Sequence, residues 1–426
     1  MEIEASPIEK VLELAAVDPE GLAATALARV NGSASRNTYL VLQPTWTRDR
    51  AAKLAEQRPD PQKLLYGLPV ALKDCFDLEG FVTSAGSRFY ASRNAPAISD
   101  SWVAERLKDA GAVITGKTHM QMLAYGITGE NRDYGDCVQP ADATSLTGGS
   151  SSGSAAAVQE GSAIAAIGSD TGGSIRAPAA LCGLAGYRAS LGVGDWRGGA
   201  HLAESFDTIG WLCRDLRDLP RLAHGLFALP ETVRSAEQLR VAIVIGALLE
   251  DCDASVLASM RMWQERIASV GAHVNAVEPD CWTSAFEIYA SLQAVEAARW
   301  HTGFFDEFEP AIAERLRWGA SLKDEEVAEF RARHQGFVRE MDALFLQADF
   351  LLMPAVPLPR LAAGSDLSAA RPRILRYTTP GSLAGLPAVV LPGKPGVQLL
   401  AARGGDRQLL EFAASLGKRL AAEEAS

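Results

Sequence analysis

The most unusual stretch of the chain is residues 145–183, which read SLTGGSSSGSAAAVQEGSAIAAIGSDTGGSIRAPAALCG. Gly, Ser and Ala dominate it, a composition that flexible linkers share. A linker would not normally contain an Ala, Val and Ile stretch of helix-forming character, a TGGSIR turn and further apolar segments. We therefore expect a packed, loop-rich site here and not a linker.

A second decisive stretch lies upstream, at residues 67–80, which read GLPVALKDCFDLEG. Its apolar run has the length of a strand and ends in a cluster of charges that begins at Lys73. Ser99 or Asp100 is then expected to cap a helix over SWVAERLKDAG, which leads into the apolar AVITGK. This alternation is typical of α/β proteins and predicts a sheet covered by helices.

The whole chain is expected to form one domain, residues 1–426, with four consecutive parts. These parts are a helical segment over 1–60, a core over 61–235, a helix-rich segment over about 240–346 that is a candidate substrate-side subdomain, and a return to the sheet over 347–426. In the first part, Asp18 and Pro19 match an N-cap and first helical residue, and Asn31-Gly32 matches a helix stop. The last part ends in an amphipathic helix over RQLLEFAASLGKRLAAEE.

Composition excludes several classes of function. The 426 residues are 48% hydrophobic and 22% charged, and 41 Lys plus Arg against 52 Asp plus Glu give a formal net charge of −11. An acidic chain is a poor match for a phosphate backbone, so we expect no nucleic-acid partner. No apolar run is long enough to span a bilayer and the start MEIEASPIEK lacks signal-peptide features, which predicts a cytoplasmic protein with no membrane partner. Six cysteines without a CxxC pair indicate neither a zinc site nor a disulfide framework.

Two short motifs suggest nucleophiles but are weak. Gly149, Ser151 and Gly153 satisfy the GxSxG elbow, a match that is hard to avoid in a run of Gly and Ser. Ser415 to Lys418 satisfies SxxK, but on the closing helix, where a solvated lysine is the simpler interpretation. None of the six histidines lies in a pattern that suggests a catalytic base.

Three segments taken together resemble the amidase signature family. They are residues 67–80 with Lys73, LTGGSSSGSAAAV with Ser150, and GSDTGGSIRAPAALCG with Ser174. Ser150 and Ser174 are 24 residues apart, which is similar to the interval between the two catalytic serines of that family. The resemblance implies a large mixed β-sheet covered by helices on both faces. It also implies that Ser174 is the nucleophile, Ser150 a bridging serine on a cis peptide bond, and Lys73 the terminal base.

The chemistry of these three residues is also arguable from first principles. A serine hydroxyl is a poor nucleophile without a base, and a lysine can act as that base only when its amine is neutral. Burial beside neutral partners lowers the pKa of a lysine toward the working pH. The Ser150 hydroxyl can donate to Lys73 while it accepts from Ser174, so that a proton can pass between them. Such a reaction requires neither a metal nor an organic cofactor.

The glycine-rich turn before the nucleophile is the expected oxyanion site. The backbone N–H groups of Thr171, Gly172, Gly173 and Ser174 are expected to converge on the oxygen of a tetrahedral intermediate. Three neighbours have expected supporting roles, namely Asp170 and Arg176 as an ion pair that holds the turn and Ser152 as a hydrogen-bond partner. The alternative for Arg176 is that it faces a substrate carboxylate.

The substrate pocket is less well defined by the sequence. Tyr125 and Thr128 are candidates for its lining, with ordinary core packing as the alternative. Arg132, Arg188 and Arg197 raise an anionic substrate as an option.

The expected function is an amidohydrolase that cleaves a non-peptide, linear C–N amide bond of a small molecule, releasing ammonia or an amine and a carboxylic acid. Two alternatives remain open: an amidotransferase A-type subunit that releases ammonia from glutamine, and a catalytically silent scaffold of the same fold. The expected partner is the small amide substrate, and a homodimer or an accessory subunit is left open.

Overall fold

The computed structural model of the protein describes residues 7–30, 36–57, 59–60, 62–230 and 233–424. The helix stop predicted at Asn31-Gly32 lies outside the described residues. The N-cap predicted at Asp18 is confirmed, because its carboxylate accepts the N–H of Gly21 at 2.7 Å and Pro19 follows as the first helical residue.

Within the described residues the chain forms fourteen strands. They are β1 (Tyr39–Val41), β2 (Pro69–Lys73), β3 (Val113–Thr118), β4 (Val138–Gln139), β5 (Asp142–Leu146), β6 (Ala165–Ser169), β7 (Ala185–Arg188), β8 (Ile209–Cys213), β9 (Arg240–Val244), β10 (His273–Val277), β11 (Phe350–Pro354), β12 (Leu361–Ala362), β13 (Ala388–Leu391) and β14 (Val397–Ala401). Eleven of these form one sheet in the order β1-β3-β2-β6-β8-β7-β13-β14-β11-β9-β10, and β12-β5-β4 form a small second sheet.

The large sheet mixes parallel and antiparallel pairs. β2 is parallel to both β3 and β6, and β9 is parallel to both β10 and β11. The six remaining pairs of neighbours are antiparallel. The predicted α/β fold with a large mixed sheet is therefore confirmed.

Fourteen α-helices surround the sheet in the part of the chain that is described. They are α1 (Ile8–Val17), α2 (Pro19–Arg29), α3 (Pro44–Ala55), α4 (Arg88–Arg93), α5 (Trp102–Asp109), α6 (Ser152–Glu160), α7 (Arg176–Cys182), α8 (Leu219–Leu226), α9 (Ala254–Ser269), α10 (Ala285–Trp300), α11 (Pro310–Ser321), α12 (Asp324–Phe345), α13 (Ala370–Leu383) and α14 (Asp406–Glu424). None of the described helices is both long enough and apolar enough to span a bilayer.

The two faces of the sheet carry separate hydrophobic cores. Along β2, Val70 and Leu72 join the core that includes α1, α2, α5, α8 and α14, whereas Ala71 joins the core that includes α6, α7, α10, α12 and α13. Successive side chains of a strand point to opposite faces, so Lys73 lies on the same face as Ala71. The last residue of β2 therefore faces α6 and α7, the two helices that follow the serine-rich segments.

Two local predictions differ from the structure. The cap of α5 is Ser101, whose hydroxyl accepts the N–H of Ala104, because Asp100 instead accepts the N–H of Glu79 and pairs with Lys108. The segment predicted as wholly helical over 1–60 also contains β1, which forms the edge of the large sheet.

The linker interpretation of residues 145–183 is wrong. The segment supplies β6, α6 and α7, and the side chains of α7 are buried throughout. Small Gly, Ser and Ala side chains let two helices and a strand pack closely, which explains the composition.

Candidate active site

Lys73 is a buried lysine whose hydrogen-bond partners are all neutral groups. It ends β2 with 0% exposure. Its Nζ donates to Ser150 Oγ at 2.8 Å and to Ser169 Oγ at 2.8 Å, with a longer contact of 3.4 Å to the Ser169 carbonyl. Within the described residues no carboxylate forms an ion pair with this amine. Ser169 belongs to the segment GSDTGGSIRAPAALCG, but the sequence assigned it no role, and only the parallel pairing of β2 with β6 brings it to Lys73.

Burial lowers the pKa of the Lys73 amine to about 8, since the charged form loses its hydration. The neighbouring Cys75 does not supply a counter-charge, because burial raises the pKa of its thiol to about 11. The contrast with Lys117 is informative. Lys117 is equally buried, but its Nζ pairs with Asp74 Oδ1 at 2.8 Å. Lys73 is thus placed to lose its proton near neutral pH, whereas Lys117 is held in an ion pair.

Ser150 lies between the end of β5 and the start of α6, and the peptide bond that joins it to Gly149 is cis. Its hydroxyl faces Lys73. Its carbonyl accepts the backbone N–H of Gln121 at 3.1 Å and the Ser152 hydroxyl at 3.4 Å, so Ser152 contacts the backbone of Ser150 and not its side chain. The helix α6 begins at Ser152, so Ser150 lies two residues before its first turn.

Ser174 lies in the turn between β6 and α7, with 4% exposure, and lines a narrow cleft. Its carbonyl accepts the N–H of Ser151 at 3.1 Å, which ties the two serine segments together. Its hydroxyl makes no hydrogen bond to any residue that the structure describes, and this includes Ser150. Catalytic hydrogen bonds are often long without substrate and tighten in the Michaelis complex.

Three of the four N–H groups expected to bind the oxyanion form no hydrogen bond with other described residues. The Gly173 N–H is already used, since it donates to Asp170 Oδ1 at 2.8 Å. The N–H groups of Thr171, Gly172 and Ser174 form no hydrogen bond with other described residues. The expected donor set is therefore corrected to these three, with Gly173 serving to shape the turn at a φ of 127°.

The Asp170 carboxylate stabilises this glycine-rich turn through hydrogen bonds and ion pairs. Its carboxylate accepts from Arg176 Nη2 at 2.9 Å and from Arg188 Nη1 at 3.0 Å, and also from the N–H groups of Gly173 and Ile175. Burial opposes ionisation of this carboxyl, but the two guanidinium groups hold its pKa well below the usual range. Arg176 and Arg188 are both fully buried against Asp170 and do not line the cleft of Ser174, so neither faces a substrate carboxylate.

A second carboxylate, to which no motif assigned a role, also supports the turn. Asp207 accepts the Thr171 hydroxyl at 2.6 Å and His201 Nδ1 at 3.0 Å, together with the N–H of Leu202. It lies in the segment SFDTIG just before β8, and only the fold brings this segment to the oxyanion turn.

The walls of the cleft come from distant parts of the chain. Tyr125 lines it, as predicted, next to Tyr289 and Gln293 of α10 and Arg371 of α13. Thr128 does not line it, because its backbone N–H and hydroxyl are turned to Gln121 and Glu130. The sequence held no motif for the residues of α10 and α13.

Two other arginines suggested by the sequence also lie elsewhere. Arg132 pairs with Asp133 at the surface, and Arg197 pairs with Glu105.

Next to the cleft of Ser174 lies a larger cavity of about 370 Å³, and Ala124 lines both the cleft and the cavity.

The GxSxG motif of Gly149, Ser151 and Gly153 has no catalytic base beside its serine among the described residues. The Ser151 hydroxyl donates to the Ser169 carbonyl at 3.2 Å and contacts no histidine among the described residues. His119 instead faces Ser152 and the Gly135 carbonyl, and burial lowers its pKa to about 4.

Comparisons with known proteins identify the family of this chain. The family model described as Amidase matches residues 22–410. The chain is 30% identical to "Amidase 1" of Oryza sativa subsp. japonica, over 85% of this chain and 92% of that protein. It is 28% identical to the A-type subunit of the glutamyl-tRNA(Gln) amidotransferase of Koribacter versatilis, over 91% of this chain and 92% of the relative.

A solved structure described as an amidase superposes with a TM-score of 0.87 at 30% identity, covering 97% of this chain and 100% of that one. The match of the family model extends over most of the chain and includes every residue of the site described above. The chain therefore belongs to the amidase signature family of hydrolases that act on amides.

Proposed function

We propose that this protein is an amidohydrolase that cleaves a non-peptide, linear C–N amide bond of a small molecule in a single catalytic domain. Ser174 is the nucleophile, Ser150 passes the proton and Lys73 is the base. The observation that carries this proposal is the 2.8 Å contact of Lys73 with Ser150, at a buried amine that forms no ion pair with a carboxylate of the described residues. A lysine held in this way is poised to accept a proton.

The proposed reaction is acyl transfer in two steps. The Ser174 hydroxyl attacks the amide carbonyl while its proton passes through Ser150 to Lys73, and a tetrahedral intermediate forms. Its negative oxygen accepts from the N–H groups of the glycine-rich turn, each of which contributes about 3 kcal/mol of transition-state stabilisation. The protonated Lys73 then returns the proton through Ser150 to the leaving nitrogen, which departs as ammonia or an amine. Water attacks the acyl-enzyme by the same relay and releases the carboxylic acid.

A fluorophosphonate probe tests the nucleophile whatever the natural substrate is. Labelling of the purified protein followed by peptide mass spectrometry is expected to place the adduct on Ser174. The Ser174→Ala variant is expected to lose the label and keep its fold, as judged by circular dichroism. Ser151→Ala is the matched control and is expected to keep the label. An adduct on Ser151, or none on any serine, would reject the assignment.

A second candidate is an A-type subunit of an amidotransferase, supported by the near full-length similarity to the Koribacter versatilis protein. This role requires ammonia release from glutamine that increases with a partner subunit and charged tRNA. Steady amide hydrolysis by the purified chain alone would favour the amidohydrolase. A silent scaffold would show neither activity nor labelling.

A further inference from the structure

Two arginines flank the same aromatic ring beside the nucleophile. The guanidinium carbon of Arg315 lies 4.7 Å from the centroid of the Tyr125 ring, and that of Arg371 lies 5.7 Å from it. Arg371 lines the same cleft as Ser174, whereas Arg315 contacts the Tyr125 ring without lining the cleft. The reacting serine is therefore next to a concentration of positive charge.

Neither of these arginines has an acidic partner within the described parts of the chain. Arg371 has one weak hydrogen bond, of 3.5 Å, from Nη2 to Gln293 Oε1. Arg315 donates from Nη2 to the Tyr125 carbonyl at 2.6 Å, and its buried Nε has no partner. The buried Arg176 and Arg188 differ, since both share the Asp170 carboxylate. The fold therefore neutralises its structural arginines but not the pair at the cleft.

The energetics of this pair favour the binding of an anion. Burial lowers the pKa of Arg371, and burial followed by the charge of Arg371 lowers the pKa of Arg315 to about 10. Glu309 and Glu314 act on Arg315 from a distance without forming an ion pair. Unpaired buried charges are costly and are retained where they serve binding or catalysis.

We propose that Arg371, together with Arg315 on the same Tyr125 ring, forms a subsite for a carboxylate carried by the amide substrate. A planar guanidinium matches a carboxylate through two parallel hydrogen bonds, and aromatic packing holds it in place. Gln293, whose Oε1 accepts from Arg371 and whose Nε2 donates to the Tyr289 hydroxyl, also lines the cleft and holds Arg371 against it. This inference deepens the proposed function, on which its catalytic part rests.

Binding is tested first, on the Ser174→Ala variant, so that no turnover is needed. The probes are two carboxylate-bearing amides, succinamate and glutaramate, and their uncharged diamides, succinamide and glutaramide. N-acetylglycine places the carboxylate on the amine side instead. Calorimetry at fixed ionic strength is expected to detect at least one carboxylate probe and to give roughly 10- to 100-fold weaker binding for its uncharged analogue, the range for a lost charge-assisted hydrogen bond.

The variant Arg371→Met, made in the Ser174→Ala background, identifies the residue responsible. It is expected to remove the preference for the charged probe, whereas Arg371→Lys is expected to keep part of it because the charge remains. The matched control is Arg373→Met on the same helix. Arg373 is exposed, pairs with Asp251 and does not line the cleft, so its loss is expected to leave probe binding unchanged.

Three results would overturn the subsite: equal affinity for charged and uncharged probes, no binding of any carboxylate probe, or a preference that survives Arg371→Met. If Arg371→Met does not fold, the comparison of charged and uncharged probes on Ser174→Ala alone decides. Failure of the proposed function has a different signature. In that case Ser174 takes no fluorophosphonate label and the parent hydrolyses no amide, while carboxylate binding and its dependence on Arg371 persist.

Discussion

The Thr171 hydroxyl donates a hydrogen bond of 2.6 Å to the Asp207 carboxylate and so joins the oxyanion turn to the segment before β8. Thr171 carries one of the three proposed backbone donors, and the hydrogen bond of its side chain ties this residue in place. Asp207 is anchored in turn by His201 and by the N–H groups of Leu202 and Ala203. Two carboxylates thus hold the turn: Asp170 accepts the N–H of Gly173, and Asp207 accepts the hydroxyl of Thr171.

Thr171→Val is expected to lower kcat by roughly 10- to 100-fold, the range for small misplacements of catalytic groups, with KM little changed. Valine keeps the volume of threonine but not the hydroxyl, so the turn loses its tie to Asp207. Steady-state kinetics on the best amide from a screen would measure the effect. Thr144→Val, at an exposed residue of β5, is the control for the same chemical change. A raised KM with unchanged kcat would contradict the positioning role.

The pH dependence of the reaction follows from the surroundings of Lys73. Burial lowers the pKa of its amine to about 8, and only the neutral amine accepts a proton. The neutral fraction grows as pH rises, so kcat/KM is expected to increase from pH 7 and level off above about 9. A rate profile measured in buffers of constant ionic strength tests this, with inactive Lys73→Met as the blank. A rate that falls over this range would exclude Lys73 as the base.

The order of Lys73, Ser150 and Ser174 along the chain was enough to propose a catalytic group, of which the structure shows the contact between Lys73 and Ser150. The α/β character also followed from alternating strand and helix patterns. Ser169, however, meets Lys73 only because β2 and β6 pair in parallel, and a strand pairing is not readable from one sequence. Tyr289 and Arg371 lie on long helices without a motif, and they reach the cleft only through the packing of α10 and α13 on one face of the sheet.

Lys73 and Lys117 are expected to affect stability in opposite ways. Lys117→Met would leave the Asp74 carboxylate buried without its partner, which costs about 3 to 5 kcal/mol. Lys73→Met removes a buried charge that has no carboxylate partner, so the variant is expected to be at least as stable as the parent at neutral pH. Denaturant unfolding of both variants, monitored by circular dichroism, measures the difference.

The sign of the pH effect provides a check on this comparison. The Lys73 amine has a pKa of about 8 in the folded chain and 10.5 as its ordinary value. Between these two pH values the unfolded chain binds more protons than the folded chain, so the parent gains stability as pH rises. The advantage of Lys73→Met over the parent is therefore expected to shrink from pH 8 upward. An advantage that grows instead would contradict the lowered pKa.

Gly172 is expected to tolerate no side chain, because a β-carbon there would lie 2.1 Å from the Tyr289 hydroxyl oxygen. Gly172→Ala must displace either the turn, which carries the proposed backbone donors for the oxyanion, or the ring of Tyr289 in the wall of the cleft. Loss of one such donor lowers kcat by about 100- to 1,000-fold, and we expect Gly172→Ala to reach this range.

A double-mutant cycle separates the clash between the new β-carbon and Tyr289 from other effects of Gly172→Ala. In a Tyr289→Ala background the ring is absent, so adding Gly172→Ala is expected to cost much less than in the parent. Equal costs in the two backgrounds would show that the glycine is required for a reason other than its contact with Tyr289.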